Sequence, residues 1–304
     1  TAIANPENSL LNVAAVDSGT IAYTAPEDQY VQVRTIGTAG GEPRPLTTEE
    51  AHSINVRAAN GVLFFDRLDK TGTHIWRMGA NGSGQRQLTK GSGEQIADVS
   101  RDGLYFVSTH YDELRKLSVM SSEDGKVVQE KADVLAFVGF SPDSRSVLFG
   151  SPEKDAQGLV RTVWVVLPVE GGAPTATFSL PEQSVRPAWA PDGRAVTFRS
   201  LADPAWNVYR LAFDGGAPVA VTHFTTGRLT DFYWSPDGRK LAVVMEDGDA
   251  SSLWIVEADG SRPVQVMKLT SERFLDSKWM PDSSGLAIFA GTLNANAVLI
   301  RDFR

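Results

Sequence analysis

The sequence predicts an all-β fold, a seven-bladed β-propeller built from four-stranded antiparallel blades. Three observations carry this expectation. A turn of the type Ser-Pro-Asp-Gly recurs down the chain, apolar runs of strand length flank each copy, and no stretch of helical periodicity separates one unit from the next. The turn itself is locally encoded. In Trp-Ser-Pro-Asp-Gly-Arg, Pro236 presets the backbone for the second position of a type I turn, Asp237 tolerates the third, and Gly238 takes the left-handed conformation that follows.

With the turn aspartate as anchor, copies stand at Asp102, Asp143, Asp192, Asp237 and Asp282, at intervals of 41, 49, 45 and 45 residues. One period earlier lies Asn60, and one before that Asp17, each between apolar runs, which brings the count to seven units. Each unit opens with a strand a, ending three residues before the anchor in Phe140, Trp189, Trp234 or Trp279 in the better-kept copies. Strand b follows as an alternating run, at 147–149, 195–198, 241–244 and 286–289. A loop of variable length leads to strand c, at 75–78, 163–167, 208–213, 253–257 and 297–302. A second turn, such as Asp259-Gly260, leads to strand d, at 174–179, 218–222 and 263–269. The last unit lacks a strand d, so residues among 1–8 are expected to pair there and close the ring, because an open sheet edge would otherwise remain.

Composition narrows the functional classes. A net charge of -8 lacks the basic footprint of a nucleic-acid or anionic-membrane binder, so neither nucleic acid nor direct membrane contact is expected of this chain. The absence of cysteine excludes disulfides, thiolate zinc sites and thiol catalysis. No apolar run approaches the length of about 18 residues that spans a bilayer. A start at Thr1 suggests a processed protein or a domain cut from a longer chain; the compartment is open, with a periplasmic or other extracytoplasmic domain favoured.

The repeated Trp-Ser-Pro-Asp-Gly-Arg, the Leu-Ala-Val-Val after it and the Leu-Trp-Ile-Val-Glu-Ala-Asp-Gly-Ser beyond resemble the repeats of the TolB-like propeller family. The resemblance runs the whole length, although Val-Asp-Ser-Gly and Ala-Asn-Gly-Val in the first two units lack Pro-Asp. It implies a propeller of the kind fused behind bacterial serine/threonine kinases or regulators, or set before a hydrolase domain in oligopeptidases. TolB itself has six blades where the count here is seven. The closing Ala-Val-Leu-Ile-Arg-Asp-Phe-Arg is similar to the C-terminal end of the kinase-fused group.

Strand order assigns the working face. If strand a descends, the Pro-Asp-Gly turns share one face with the c-to-d turns, and the longer b-to-c and d-to-a loops share the other, where binding is expected. Six of the seven tryptophans fall in the strand a and strand c columns and read as packing between blades. Trp206 falls in neither. It lies in a b-to-c loop, as a ligand platform or interface anchor, or folded over its own blade edge. Six residues before the anchor stand Arg186, Asp231 and Asp276 in the last three units, with Arg228 and Arg273 three residues before the two aspartates. Such a mouth suits a zwitterion, a peptide terminus or a carboxylate, unless the pairs only stitch neighbouring blades together. His52 and Glu94 also fall near these entrances.

For catalysis the sequence offers little. Its four histidines are scattered over several units without metal-ligand spacing, and neither a Gly-x-Ser-x-Gly elbow nor a phosphate-binding loop is present, so no catalytic residue, metal or cofactor is assigned. The expected function is a non-catalytic propeller, the sensory or interaction domain of a larger bacterial signalling protein, binding a protein, a peptide or a small polar ligand. Two alternatives stand beside it: a hydrolase or lactonase-like metalloenzyme with its site at the channel mouth, and the gating propeller of an oligopeptidase.

Overall fold

The computed structural model describes residues 12–27, 29–47, 51–110, 116–270 and 272–291. Local turn chemistry organises them. At the third anchor, Ser100 Oγ donates to Asp102 Oδ1 at 2.6 Å, the same oxygen accepts the Leu104 N–H at 3.0 Å, and Gly103 stands at φ +73°. The set recurs around Asp143 and Asp237. Two copies put serine at the left-handed position instead, Ser144 and Ser283. Each offers its hydroxyl to the turn of the preceding blade, accepting the Asp102 N–H at 3.3 Å and the Asp237 N–H at 3.1 Å.

The strands group into blades in sequence order. Blade one comprises β1 (Asn12–Asp17), β2 (Thr20–Glu27), β3 (Tyr30–Gly37) and β4 (Arg44–Pro45). Blade two comprises β5 (His52–Ala59), β6 (Val62–Asp69), β7 (Gly72–Gly79) and β8 (Arg86–Gln87). Blade three holds β9 (Glu94–Val99), β10 (Tyr105–His110), β11 (Lys116–Ser121) and β12 (Val127–Lys131). Blade four holds β13 (Ala136–Phe140), β14 (Ser146–Lys154), β15 (Val160–Pro168) and β16 (Ala176–Phe178). Blade five is β17 (Ser184–Trp189), β18 (Ala195–Ser200), β19 (Val208–Ala212) and β20 (Val219–Ala220). Blade six is β21 (Arg228–Trp234), β22 (Lys240–Asp247), β23 (Ala250–Glu257) and β24 (Val264–Leu269). Only a pair follows, β25 (Arg273–Trp279) and β26 (Leu286–Gly291).

The expectation of seven four-stranded blades is therefore corrected to six. A Pro-Asp-Gly turn specifies one a-b hairpin, and a blade requires strands c and d as well, which the turn does not report. Among the described residues the last unit supplies the hairpin alone. It packs on blade one through Met280 and Ala287 against Val13, Ile21 and Ile36, and on blade six through Trp279 and Leu286 against Val244 and Leu253. The expected strand c at 297–302 and the closing residues 1–8 lie outside the described residues.

Between blades the core is apolar and continuous. Val107 and Val119 of blade three meet Val147 and Leu167 of blade four, and Leu148 of blade four meets Val196 and Leu211 of blade five. Each such side chain, buried fully, contributes about 1.5–3 kcal/mol. The strand a tryptophans add directional bonds. Trp189 Nε1 donates to Gly139 O at 3.0 Å, Trp234 Nε1 to Thr197 Oγ1 at 3.1 Å, and Trp279 Nε1 to Tyr233 O at 2.8 Å, each acceptor lying in the preceding blade. Strand a itself is irregular. Its pairing shifts register within every blade and in the hairpin, at Ile54/Arg57 in β5, Leu229/Asp231 in β21 and elsewhere. These bulges re-aim side chains toward the axis and the loop face.

Candidate functional site

The residue that the repeat does not explain sits in the loop between β18 and β19. Asp203 builds that loop: its Oδ1 accepts the Ala205 N–H at 2.9 Å and Asn207 Nδ2 at 3.0 Å, and its Oδ2 accepts the Tyr209 hydroxyl at 3.0 Å. Burial pushes the Asp203 pKa up, and these hydrogen bonds outweigh it and hold the group below the usual carboxylate range. Asn207 ties the loop to the next connection, accepting the Phe224 N–H and donating to Phe224 O, both at 2.9 Å. Between them Trp206 is held at φ +57°, a backbone conformation that costs a side-chain-bearing residue about 1–3 kcal/mol and clusters at binding sites.

Two guanidinium groups lie over the Trp206 ring, Arg199 at 5.1 Å and Arg228 at 5.2 Å from its centroid. Such contacts contribute about 0.5–2 kcal/mol each. The indole is half-buried against an apolar cluster that includes Val208 of blade five and Leu229 and Phe232 of blade six, so it packs across the seam between the two blades as well as under the arginines. Arg199 bridges to the bulge of β21, its Nη1 donating to Leu229 O at 3.0 Å and to Thr230 O. Burial lowers the Arg199 pKa, and the nearby Arg186 guanidinium lowers it further. Arg186, itself left-handed at φ +57°, pairs with Asp231. Asp231 also accepts the Tyr233 hydroxyl at 2.7 Å. Arg228 is exposed, and among the described residues no carboxylate lies within ion-pair distance of it.

The structure thus brings together Trp206, Arg186, Arg228 and Asp231, with Arg199 added from strand b. Two of the other candidates, Arg273 and His52, are used elsewhere. Arg273 donates to the Asp249 carbonyl at 2.7 Å, and the side chain of Asp276 lies outside the described residues. His52 serves blades one and two, where its Nδ1 accepts the Val31 N–H at 3.3 Å and its ring meets Tyr30 edge-on at 5.5 Å.

Fold similarity carries no finer assignment than this geometry. No model of a known protein family matches the sequence, and no curated protein matches it. Solved structures do. The β-propeller domain of the trilobed protease from Pyrococcus furiosus is 10% identical with a TM-score of 0.72, covering 95% of this chain and 91% of that one. The fold is that of the β-propellers. An oligogalacturonate lyase from Vibrio parahaemolyticus is 10% identical with a TM-score of 0.67, over 93% of this chain and 88% of that one. TolB from Acinetobacter baumannii is 16% identical with a TM-score of 0.51 over 80% of this chain, which spans 62% of that protein's length. At these identities the likeness is one of architecture, shared by binding proteins and enzymes alike.

Two arrangements escaped sequence reasoning. His74 and His110, distant in sequence, flank the buried Glu94 at 4.0 and 3.9 Å on the loop face of blades two and three. Among the described residues, no group of three or more His, Cys, Asp or Glu is gathered closely enough to hold a metal ion. On the opposite face, the turn end of the channel opens into a cavity of about 1040 Å³ with Arg57, Asp98, Arg101 and Lys278 on its wall. A signal for it was present: Arg101 occupies the turn position that is proline at Pro142, Pro191, Pro236 and Pro281.

Proposed function

We propose that this chain is a non-catalytic binding propeller that captures a carboxylate-bearing protein or peptide on its loop face, between blades five and six. The observation that carries the reading is Arg228, spread over Trp206 and exposed, with no carboxylate of its own among the described residues. The ring beneath it restricts the guanidinium, so less side-chain freedom is lost when an anion arrives. Arg186 and Asp231 then act as an adjustable pair: an incoming carboxylate competes with Asp231 for Arg186, and Asp231 is left to receive an amide or ammonium group. A rigid ring with one such patch suits the interaction domain of a larger bacterial signalling protein, the setting that the repeat resemblance suggests.

Fluorescence-polarisation titration with labelled peptides that carry carboxylates (acidic side chains and a free C-terminus) or none (neutral side chains and an amidated C-terminus) tests this. Acidic peptides should bind, Trp206→Ala and Arg228→Ala should each weaken them by about tenfold or more, and added salt should weaken them further. Equal affinity in the variants overturns the reading.

A further inference from the structure

The loop-face seam between blades two and three holds one carboxylate between two imidazoles. Glu94 opens β9, His110 is its register partner at the end of β10, and His74 approaches it from β7 of the neighbouring blade. His74 is 5% and Glu94 9% exposed, whereas the His110 side chain is a quarter exposed. A Cβ on residue 91 would stand 2.5 Å from Glu94 Oε1, so Gly91 makes room for the carboxylate, and Oε1 accepts the Gly91 N–H at 3.2 Å. The other oxygen is left over. Glu94 Oε2 and His74 Nδ1 lie 4.0 Å apart, sealed from solvent, and neither has a hydrogen-bond partner among the described residues.

The far side of His74 fixes its tautomer. Thr71 gives both its N–H and its hydroxyl to Asp69 Oδ1, at 2.7 and 2.6 Å. These bonds hold Asp69 below the usual carboxylate range, so it has no proton to offer and the hydrogen between the two oxygens is that of Thr71. With that hydrogen spent, Thr71 Oγ1 accepts from His74 Nε2 at 2.8 Å. A neutral His74 therefore turns a bare Nδ1 toward a carboxylate oxygen, and two buried acceptors face each other unsatisfied. One proton on Nδ1 converts them into a charge-assisted pair. We propose that this pair is a proton-operated clasp: in mild acid His74 closes on Glu94 Oε2 and locks blade two to blade three on the loop face, and above neutrality it lets go. The surrounding charges are Arg67, register partner of His74 on β6, Asp69 beyond Thr71, exposed Lys90 in the connection to β9, and Lys116 of β11 paired with Glu130 of β12 past His110; β8 brings Arg86 opposite Arg77 instead. Of all these side chains, the two histidines are the type that changes charge between about pH 5 and 8.

Two-dimensional NMR of the histidine ring nitrogens in the whole chain reads the clasp without any substitution. At about pH 8 His74 should carry hydrogen on Nε2 alone, and at about pH 5 on both nitrogens. Protection of the Gly91 amide, corrected for the intrinsic effect of pH on exchange, should rise about tenfold over the same range as the carboxylate it donates to is held in place. Glu94→Gln keeps the shape and offers Nδ1 an N–H at every pH, so it should fold normally and lose that rise. His110→Gln should leave the change at His74 in place. Hydrogen on Nδ1 of the neutral ring, a His74 ring unchanged from pH 8 to 5, or Gly91 protection that is flat in the wild-type protein overturns the proposal. So does a rise that survives Glu94→Gln, or a His74 change abolished by His110→Gln.

Discussion

Asp66 is fully buried in β6, with Oδ2 accepting Asn55 Nδ2 at 2.7 Å and Oδ1 accepting the Ile96 N–H at 2.8 Å. Burial pushes its pKa from 3.8 up to about 6, against the pull of those hydrogen bonds and of Arg57. Below about pH 4 the folded and unfolded states both carry the proton. Between about pH 4 and 6 the unfolded chain releases it first, so the folded state binds more protons and stability falls as pH rises. The loss totals on the order of 3 kcal/mol. Urea denaturation should show Asp66→Asn gaining about that much on the wild-type protein between pH 4 and 6; a pH-independent difference would refute it. Single residues also show how far the sequence could be read. Trp206 was legible because it falls outside the two columns, strand a and strand c, that hold the six other tryptophans. Arg199 was not, because it directly follows the regular run 195–198 and only folding swings it over the indole.

At the scale of elements, a threonine closes the loop-face end of three blades. Thr47, Thr89 and Thr222 accept the N–H of Val33, Ile75 and Val208, each at 2.9 Å. Thr47 and Thr222 also donate to Gln32 and Asn207, at 2.6 and 2.8 Å. Thr222→Val keeps the shape but strands the buried Val208 N–H, which should cost about 1–3 kcal/mol and speed exchange of that amide. Unchanged exchange would show that the clasp carries no weight. The strands themselves were legible from alternation and turn chemistry, but their bulges were not. Counting six residues back from each anchor treats Ile96 and Asp231 as equivalent. In β9 the register shift falls just after Ile96, whereas in β21 it falls just before Asp231, so equal counts reach different depths. That is why Asp98, two residues further on, went unnoticed.

For the whole molecule, the ring depends on a two-stranded hairpin wedged between blades one and six. Met280 is 4% exposed in the cluster that joins the hairpin to blade one. Met280→Ala should cost about 2–5 kcal/mol, and hydrogen exchange should rise first in β1, β25 and β26. A rise spread evenly over all blades would place the weak joint elsewhere. The miscount of blades belongs to this scale too, since a turn repeat reports local hairpins and not the completion of a sheet.

The indole bonds of Trp189, Trp234 and Trp279 all run backward, each to the blade made before its own. A ribosome delivers the N-terminal blades first. Each of these tryptophans therefore emerges after the chain that carries its acceptor, and none has to wait for chain still unmade.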